Sequence, residues 1–371
     1  MRIVVAPDKF AGTLTATEAA EAIAQGWRRS APGDELDLVP LSDGGPGFLE
    51  VLHAALGGTV QMVEVTGPLG AAVSAELLLV DGPGPVTAYV EVSRAAGLHL
   101  VEPEARHALA ASSYGVGELI AAAVQARVQR IVVGVGGTAS TDGGAGLLAA
   151  LGAVPGEALR RGGGSLADLG ADLHGTVDLT KARERLAGIE LVAATDVDAP
   201  LLGPEGAALG FGAQKGADRA AREQLETALR VWASATDGAV AVKGGAGAGG
   251  GIGFALLLLG ATRVPGAQLA LDAVRLADRA AAADLLLTGE GAFDWQSLRG
   301  KVVAGVARVG QDSGRPTVVL AGRVEVGKRQ LSNAGIDSAY GIVDLPSSER
   351  GHNAADELAA LAARVARTWS H

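Results

Sequence analysis

Residues 136–146 bring glycines, hydroxyls and a carboxylate into one short stretch: Gly136-Gly137-Thr138, then Asp142, then Gly143-Gly144 and Gly146. The β-branched run at 131–135 reads as a buried strand, and an apolar helix is predicted to begin near Gly143. Backbone N–H groups at such a strand-to-helix turn can point at an anion, and the helix dipole favours negative charge there. Glycine lets the main chain approach a ligand closely and adopt positive φ. Asp142 sits inside this loop, where a cation held against phosphates would meet it. The spacing points to phosphate handling.

Other polar-plus-glycine clusters fall at predicted strand ends: Asp8-Lys9, Ser42-Asp43-Gly44-Gly45, Thr195-Asp196, and Thr288-Gly289-Glu290-Gly291 followed by Asp294. Ligands of open parallel sheets bind outside those ends. Phosphoryl transfer needs a phosphate cradle, a carboxylate for a metal, a cation and a group that aligns the attacking hydroxyl. Here Gly136, Gly137, Thr138, Asp142, Gly143 and Gly144 are the candidates for nucleotide binding, and residues 244–253 are a second glycine-rich stretch. Asp196 or Glu290 would hold the metal. Lys215 and Lys301 are candidate charge clamps, and Asp43 or Asp294 would orient the substrate hydroxyl. Each aspartate is equally well read as a helix cap, and each lysine as a solvated side chain.

The elements that must position these residues follow from periodicity. Segments 2–6, 35–41 and 59–65 read as strands that alternate with helices at 16–29 and 47–56. The first of these helices has a capping box, Thr15 with Glu18. The same rhythm returns near the end: strand 284–288, helix 302–309, strands 317–321 and 338–343, and helix 354–368. In between, 72–80 and 86–92 alternate as a β-hairpin, followed by a helix at 116–128 and a long glycine-heavy stretch. The fold class expected is α/β: a doubly wound parallel-sheet, Rossmann-like domain (1–65 plus 266–371), split by a second α/β domain at 66–265. The active site is expected in the cleft between them.

Composition narrows the chemistry. The chain has 371 residues, 48% of them hydrophobic, enough for two α/β cores. A net charge of −10 argues against nucleic acid as a partner. The absence of cysteine removes thiol nucleophiles and thiolate metal sites, and the six histidines lack ligand spacing. Residues 1–8 read as a strand and not a leader, and no apolar run approaches membrane-spanning length, so a cytoplasmic protein with no membrane partner is expected. Much of the Ala, Gly and Arg excess is compatible with GC-rich coding. Two nucleotide motifs nearly match and fail. After Gly134-Val135-Gly136 no acidic strand end follows at the dinucleotide spacing. In the Walker-like run at 322–329, Arg329 occupies the hydroxyl position that magnesium needs.

Taken together, these segments resemble the bacterial glycerate kinase family, the type unrelated to the plant enzyme, nearly end to end. The resemblance is carried by Ala6-Pro7-Asp8-Lys9-Phe10, Ser42-Asp43-Gly44-Gly45, Ser113-Tyr114-Gly115-Val116-Gly117-Glu118 and the 136–146 run. It continues through Thr195-Asp196-Val197, Phe211-Gly212-Ala213-Gln214-Lys215-Gly216, residues 245–253, Thr288-Gly289-Glu290-Gly291 and Gly300-Lys301. It implies a two-domain ATP- and Mg²⁺-dependent kinase acting on D-glycerate at the 2-hydroxyl. Asp8, Lys9, Gly44, Gly45, Ser93 and Arg94 would sit around the hydroxy acid. Small-molecule substrates are the partners implied, and a homodimer is left open. The chain departs from the family pattern at Ala11, where lysine is common, at Pro46, where glutamate is usual, and at Ala292 and Trp295, which replace arginine and glycine. Alanine cannot replace a bidentate arginine–carboxylate pair. Arg94, Arg299 or Arg323 would then supply that charge, or the substrate would be a related hydroxy acid. A ligand sensor that has lost catalysis is the reading from another class.

Overall fold

A computed structural model of the chain describes residues 1–10, 12–82, 84–169, 177–298, 300–346 and 351–370; Ala11, His174, Arg299 and His371 lie outside them. The strands in chain order are β1 (Arg2–Val5), β2 (Glu35–Leu38), β3 (Thr59–Thr66), β4 (Ala72–Val80), β5 (Thr87–Glu91) and β6 (Arg130–Gly134). They continue with β7 (Glu190–Ala194), β8 (Thr262–Val264), β9 (Leu285–Phe293), β10 (Thr317–Val324) and β11 (Ser338–Gly341). Contacts divide the chain into two units. Unit one is Met1–Asp43, Glu50–Leu56 and Pro265–His371, and unit two is Gly44–Leu49 and Gly57–Val264.

Unit one is built on a parallel sheet of order β11-β10-β9-β1-β2. Successive strand residues point to opposite faces. Ile3, Val5, Leu285, Leu287, Val318 and Leu320 therefore pack with the helices Ala16–Ser30 and Ala354–Trp369. Val4 and Leu286 pack on the other face with Gly266–Ala273, Leu276–Ala281 and Val302–Ser313. Burial on both faces is why these strands read as unbroken apolar runs. The capping box forms as predicted. Glu18 N–H donates to Thr15 Oγ1 at 3.2 Å, and the Glu18 carboxylate accepts from Thr15 N–H at 2.8 Å. Gly26 is more than compositional drift, because a Cβ there would collide with the carbonyl of Ala359 on the neighbouring helix.

Unit two carries a mixed sheet of order β3-β4-β5-β6-β7-β8, antiparallel from β3 to β5 and parallel from β5 to β8. Its core gathers Leu119, Ile131, Val133, Leu147, Leu225, Trp232 and Phe254. Strand β3 corrects the sequence reading, which assigned 59–65 to the first domain. It pairs with β4 along its whole length, from Thr59 opposite Leu79 to Thr66 opposite Ala72. The reason is the tight turn between them, closed by Gly67 N–H donating to the Ala71 carbonyl at 2.7 Å. So short a connection only joins antiparallel neighbours.

Two further differences concern unit one. Strand β9 was expected to stop at 288 and β10 at 321, with Gly289-Glu290-Gly291 and Gly322-Arg323 in loops. Both strands instead run on, paired as far as Val324 beside Phe293. The glycines permit this, since a Cβ on Gly289 would strike the Leu320 carbonyl and one on Gly322 the Gly291 carbonyl.

Candidate active site

In unit one, the path of β1 continues beside β9 beyond its last residue. Ala6 N–H donates to the Leu287 carbonyl at 2.7 Å and Asp8 N–H to the Gly289 carbonyl at 2.9 Å. On the other side, Leu41 N–H donates to the Pro7 carbonyl at 2.9 Å, which carries the β2 path to Ser42 and Asp43. From β1 the chain moves outward to β2 in one direction, and from β9 through β10 to β11 in the other. The topological switch point therefore lies between β1 and β9, where open sheets bind ligands. Asp8 and Glu290 flank it.

The charges there are closely coupled. Lys9 Nζ lies 3.0 Å from Asp43 Oδ1 and 3.8 Å from Asp8 Oδ1, and Lys9 N–H donates to Asp8 Oδ1 at 2.7 Å. Asp8 is only 6% exposed. Burial pushes its carboxyl up to about 7, the charges of Asp43 and Glu290 push the same way, and Lys9 opposes them. Glu290 is also raised, first by burial and further by Asp294 and Asp43. The Ser297 hydroxyl and Lys301 pull it back. Its Oε1 is buried and has no hydrogen-bond partner among the described residues.

Asp294 starts a turn. Its Oδ1 accepts from Gln296 N–H at 2.7 Å and Ser297 N–H at 3.2 Å, so the carboxylate is a cap whose direction is fixed. Ser297, which the sequence reading did not single out, is fully buried beneath that turn. Lys301 is the N-cap residue of the helix Val302–Ser313. Among the described residues no three carboxylate or imidazole groups converge to hold a metal by themselves. Arg323 pairs with Glu325 at 2.7 Å.

In unit two, the loop after β6 differs from the expectation where it matters most. The helix begins at Ala145 with left-handed Gly144 as its N-cap, and its first N–H groups are already engaged. Gly143 N–H donates to the Gly250 carbonyl at 3.0 Å, and Ala145 N–H to the Asp142 carbonyl at 3.0 Å. Gly144 N–H reaches Asp142 Oδ1 at 3.1 Å, Gly146 N–H reaches Asp142 Oδ2 at 3.2 Å, and Leu147 N–H reaches Ser113 Oγ at 3.0 Å. Asp142 Oδ2 also accepts from Ser113 N–H and Ser113 Oγ, both at 2.8 Å. The Asp142 side chain is thus wholly buried and engaged, not presented to a cation. Its burial raises its pKa, while these donors pull the other way. By contrast, the N–H groups of Gly136, Gly137 and Thr138 find no acceptor among the described residues. An anion would be met there, several residues before the helix.

Lys215 is likewise no surface clamp. It is 4% exposed, and its ammonium donates to the Ser140 carbonyl at 2.6 Å and Thr138 Oγ1 at 3.1 Å. Burial lowers its pKa to about 8, against the field of Asp142. The second glycine stretch packs directly on this loop. Gly249, Gly250 and Gly251 all have positive φ, and a Cβ on Gly250 would strike the Ser140 carbonyl. Nearby, Thr195 Oγ1 donates to the Val135 carbonyl at 3.1 Å, and Asp196 follows it, half-buried.

Ser93 and Arg94 are committed within the fold. The Ser93 hydroxyl donates to Glu91 Oε1, and the Arg94 guanidinium lies 3.2 Å from Glu76 and 3.5 Å from Glu91. An arginine that already holds two carboxylates is poorly placed to clamp a third, which corrects the expectation for this pair. Glu91 and Ser113 are the residues that sequence reasoning passed over. Buried Glu91 also accepts from Leu49 N–H at 3.1 Å. Ser113 had a signal in its motif, but nothing along the chain announced its bond to Asp142.

The comparisons with known proteins agree on one family. A family model described as "Glycerate kinase family" matches residues 3–370. An uncharacterized protein of Mycobacterium bovis is 45% identical, covering 99% of this chain and 91% of its own. A glycerate kinase of Halalkalibacterium halodurans is 38% identical over 99% and 98%, and a glycerate 2-kinase of Escherichia coli 38% over 92% and 91%. A crystal structure provisionally described as a glycerate kinase 2 of Salmonella typhimurium LT2 superposes with a TM-score of 0.75. It is 38% identical and covers 99% of this chain and 98% of that one. No helix among the described residues is long and apolar enough to cross a membrane.

Proposed function

The chain belongs to the glycerate kinase family, a family of phosphotransferases, and from that premise we propose that it transfers the γ-phosphoryl group of ATP to the 2-hydroxyl of D-glycerate. In that reaction the hydroxyl oxygen forms a bond to the γ-phosphorus and the bond from that phosphorus to the β,γ-bridging oxygen breaks. ADP leaves, and the hydroxyl proton passes to a carboxylate. The transition state is loose, so positioning and charge matter more than base strength.

The observation that carries the reading is the Asp8, Asp43, Glu290 and Asp294 cluster of unit one with Lys9 and Lys301, around the switch point of a parallel sheet. Asp294, its Oδ1 fixed by two backbone donors, would align the hydroxyl through its other carboxylate oxygen. Asp43, held by Lys9, is second in line for that role. Asp8 near neutrality can hold or release a proton at working pH. Lys9 and Lys301 offset the negative charge that substrate and phosphate bring. In unit two, the Gly136, Gly137 and Thr138 N–H groups serve the nucleotide phosphates, and Gly44 and Gly45 offer backbone to the hydroxy acid.

The residues fit a magnesium ion. Glu290 Oε1 is buried and unpartnered among the described residues, so its ionised form gains from a cation. Magnesium typically takes one or two carboxylates and completes its shell with phosphates and water. Glu290 would hold it, with Asp196 as the alternative ligand on unit two. When bound, it would neutralise charge developing on the phosphate oxygens. The test is turnover of D-glycerate against magnesium concentration for wild type and Glu290→Gln. The half-saturating concentration should rise at least about tenfold. An unchanged magnesium dependence refutes the assignment of Glu290.

A further inference from the structure

Among the described residues the buried Lys215 is a charge without a carboxylate in contact, and the loop around it shows why it is there. Its Nζ meets the Ser140 carbonyl oxygen and the Thr138 hydroxyl oxygen, both in the 136–146 loop. Asp142 grips the same loop with opposite polarity, taking the N–H groups of Gly144 and Gly146. An ammonium has donors and no acceptor. Thr138 Oγ1 is therefore obliged to accept from Lys215, and its own hydrogen must point elsewhere. That leaves Thr138 with a hydroxyl donor beside the N–H groups of Gly136, Gly137 and Thr138 itself. No threonine hydroxyl in water has its direction set in this way.

We propose that Lys215 is a positioning residue: protonated, it locks the Thr138 hydroxyl as a donor to the nucleotide phosphates, which Lys215 itself never touches. The inference rests on the phosphate role given above to residues 136–138. A neutral amine has a lone pair and can accept a hydrogen bond. Once Lys215 loses its proton, the Thr138 hydroxyl can turn to donate to Nζ, and the nucleotide loses one donor. Asp142 is the charged group whose field reaches Lys215 among the described residues, and it favours the charged form. Burial works against that form and brings the pKa to about 8, so the change falls within reach of ordinary assays. Lys215 is then roughly nine-tenths charged at pH 7 and one-tenth at pH 9.

The experiment measures the affinity of the non-hydrolysable ATP analogue AMPPNP with magnesium by calorimetry, using the full chain. Wild type should bind about fivefold more weakly at pH 9 than at pH 7, whereas Thr138→Val, about tenfold weaker than wild type at pH 7, should show no such loss and come within about twofold of it at pH 9. At pH 7, Thr138→Val and Lys215→Met should each weaken binding about tenfold. The double variant should match the single ones, because both act through one hydroxyl. A double variant about a hundredfold weaker, or a wild-type affinity flat in pH, overturns the proposal. If Lys215→Met does not fold, the pH comparison of wild type with Thr138→Val decides the matter on its own. Wild type failing to bind the analogue at all would sink the nucleotide role of this loop and the proposal with it. Binding that is normal but indifferent to pH would sink the proposal alone.

Discussion

Replacing Asp142 by asparagine tests whether that carboxylate anchors the loop or serves a ligand. The side chain is fully buried and accepts four hydrogen bonds, three at Oδ2 and one at Oδ1. The best arrangement for asparagine keeps its oxygen at the Oδ2 position, preserving the bonds from Ser113 N–H, Ser113 Oγ and Gly146 N–H. Its NH₂ then faces Gly144 N–H, donor against donor. One charge-assisted bond is lost, a buried donor is left unsatisfied, and three bonds weaken from charged to neutral. At about 1–3 kcal/mol for the lost bond and its orphaned donor, and several tenths for each of three weakened ones, the sum is near 2–5 kcal/mol. Relief of burying a charge returns part of this, leaving an expected destabilisation of about 1–4 kcal/mol. Urea denaturation followed by tryptophan fluorescence reads it, because Trp232 is buried and its Nε1–H donates to the Gly143 carbonyl at 3.1 Å. A change below about 0.5 kcal/mol, the range of ordinary surface substitutions, would refute the anchoring role. So would a variant of normal stability that no longer bound nucleotide.

Further expectations concern both units. Asp8→Asn should flatten a stability term with a definite sign. The folded carboxyl sits at about 7 against 3.8 when unfolded, so between those values the folded state holds a proton the unfolded one lacks. Wild-type stability should therefore fall as pH rises through that window, by no more than about 4 kcal/mol at 1.36 per unit. Unfolding midpoints at pH 5 and pH 8 check this, and a slope unaltered by the substitution would be the contrary result. Gly250→Ala should unfold the loop packing, since its φ is +71° and a Cβ meets the Ser140 carbonyl and Lys215 Nζ. A loss above about 2 kcal/mol is expected, and stability near wild type would contradict the packing. Arg94→Met should lower stability by exposing Glu76 and Glu91 to each other while leaving KM for the hydroxy acid within about twofold; a KM raised tenfold or more would restore Arg94 as a substrate clamp. Thr15→Ala, whose side chain belongs to the helix cap with Glu18 and to none of these clusters, should cost about 1 kcal/mol through the lost cap and leave kcat unchanged.

Much of the fold was legible because the signals were local. The unbroken apolar runs at β1, β9 and β10, the Thr15–Glu18 cap and the glycine clusters near strand ends are all patterns within a few residues. The affiliation of β3 was not, because it is decided by the backbone bond that closes the Gly67–Ala71 turn and not by the pattern within the strand. The extents of β9 and β10 depend on glycines admitting a carbonyl from the adjacent strand, which a single strand's pattern cannot register. At the site, the carboxylates of unit one were identifiable by type and position, but their coupling needed three strands to meet. The 136–146 loop was recognised and misread in detail. Its helix-terminal N–H groups are consumed by Asp142, Ser113 and Gly250, partners 2 to over 100 residues away in the chain. Lys215 reads in the sequence as a candidate charge clamp, and only its burial reveals that it supports the loop from within.

The central claim is tested most directly by incubating the full chain with D-glycerate, ATP and magnesium and reading the product by ³¹P NMR. A phosphomonoester on the 2-hydroxyl, formed with stoichiometric ADP and lost in Asp294→Asn, is the result expected. No phosphorylated glycerate, or turnover undiminished in Asp294→Asn, would contradict the account.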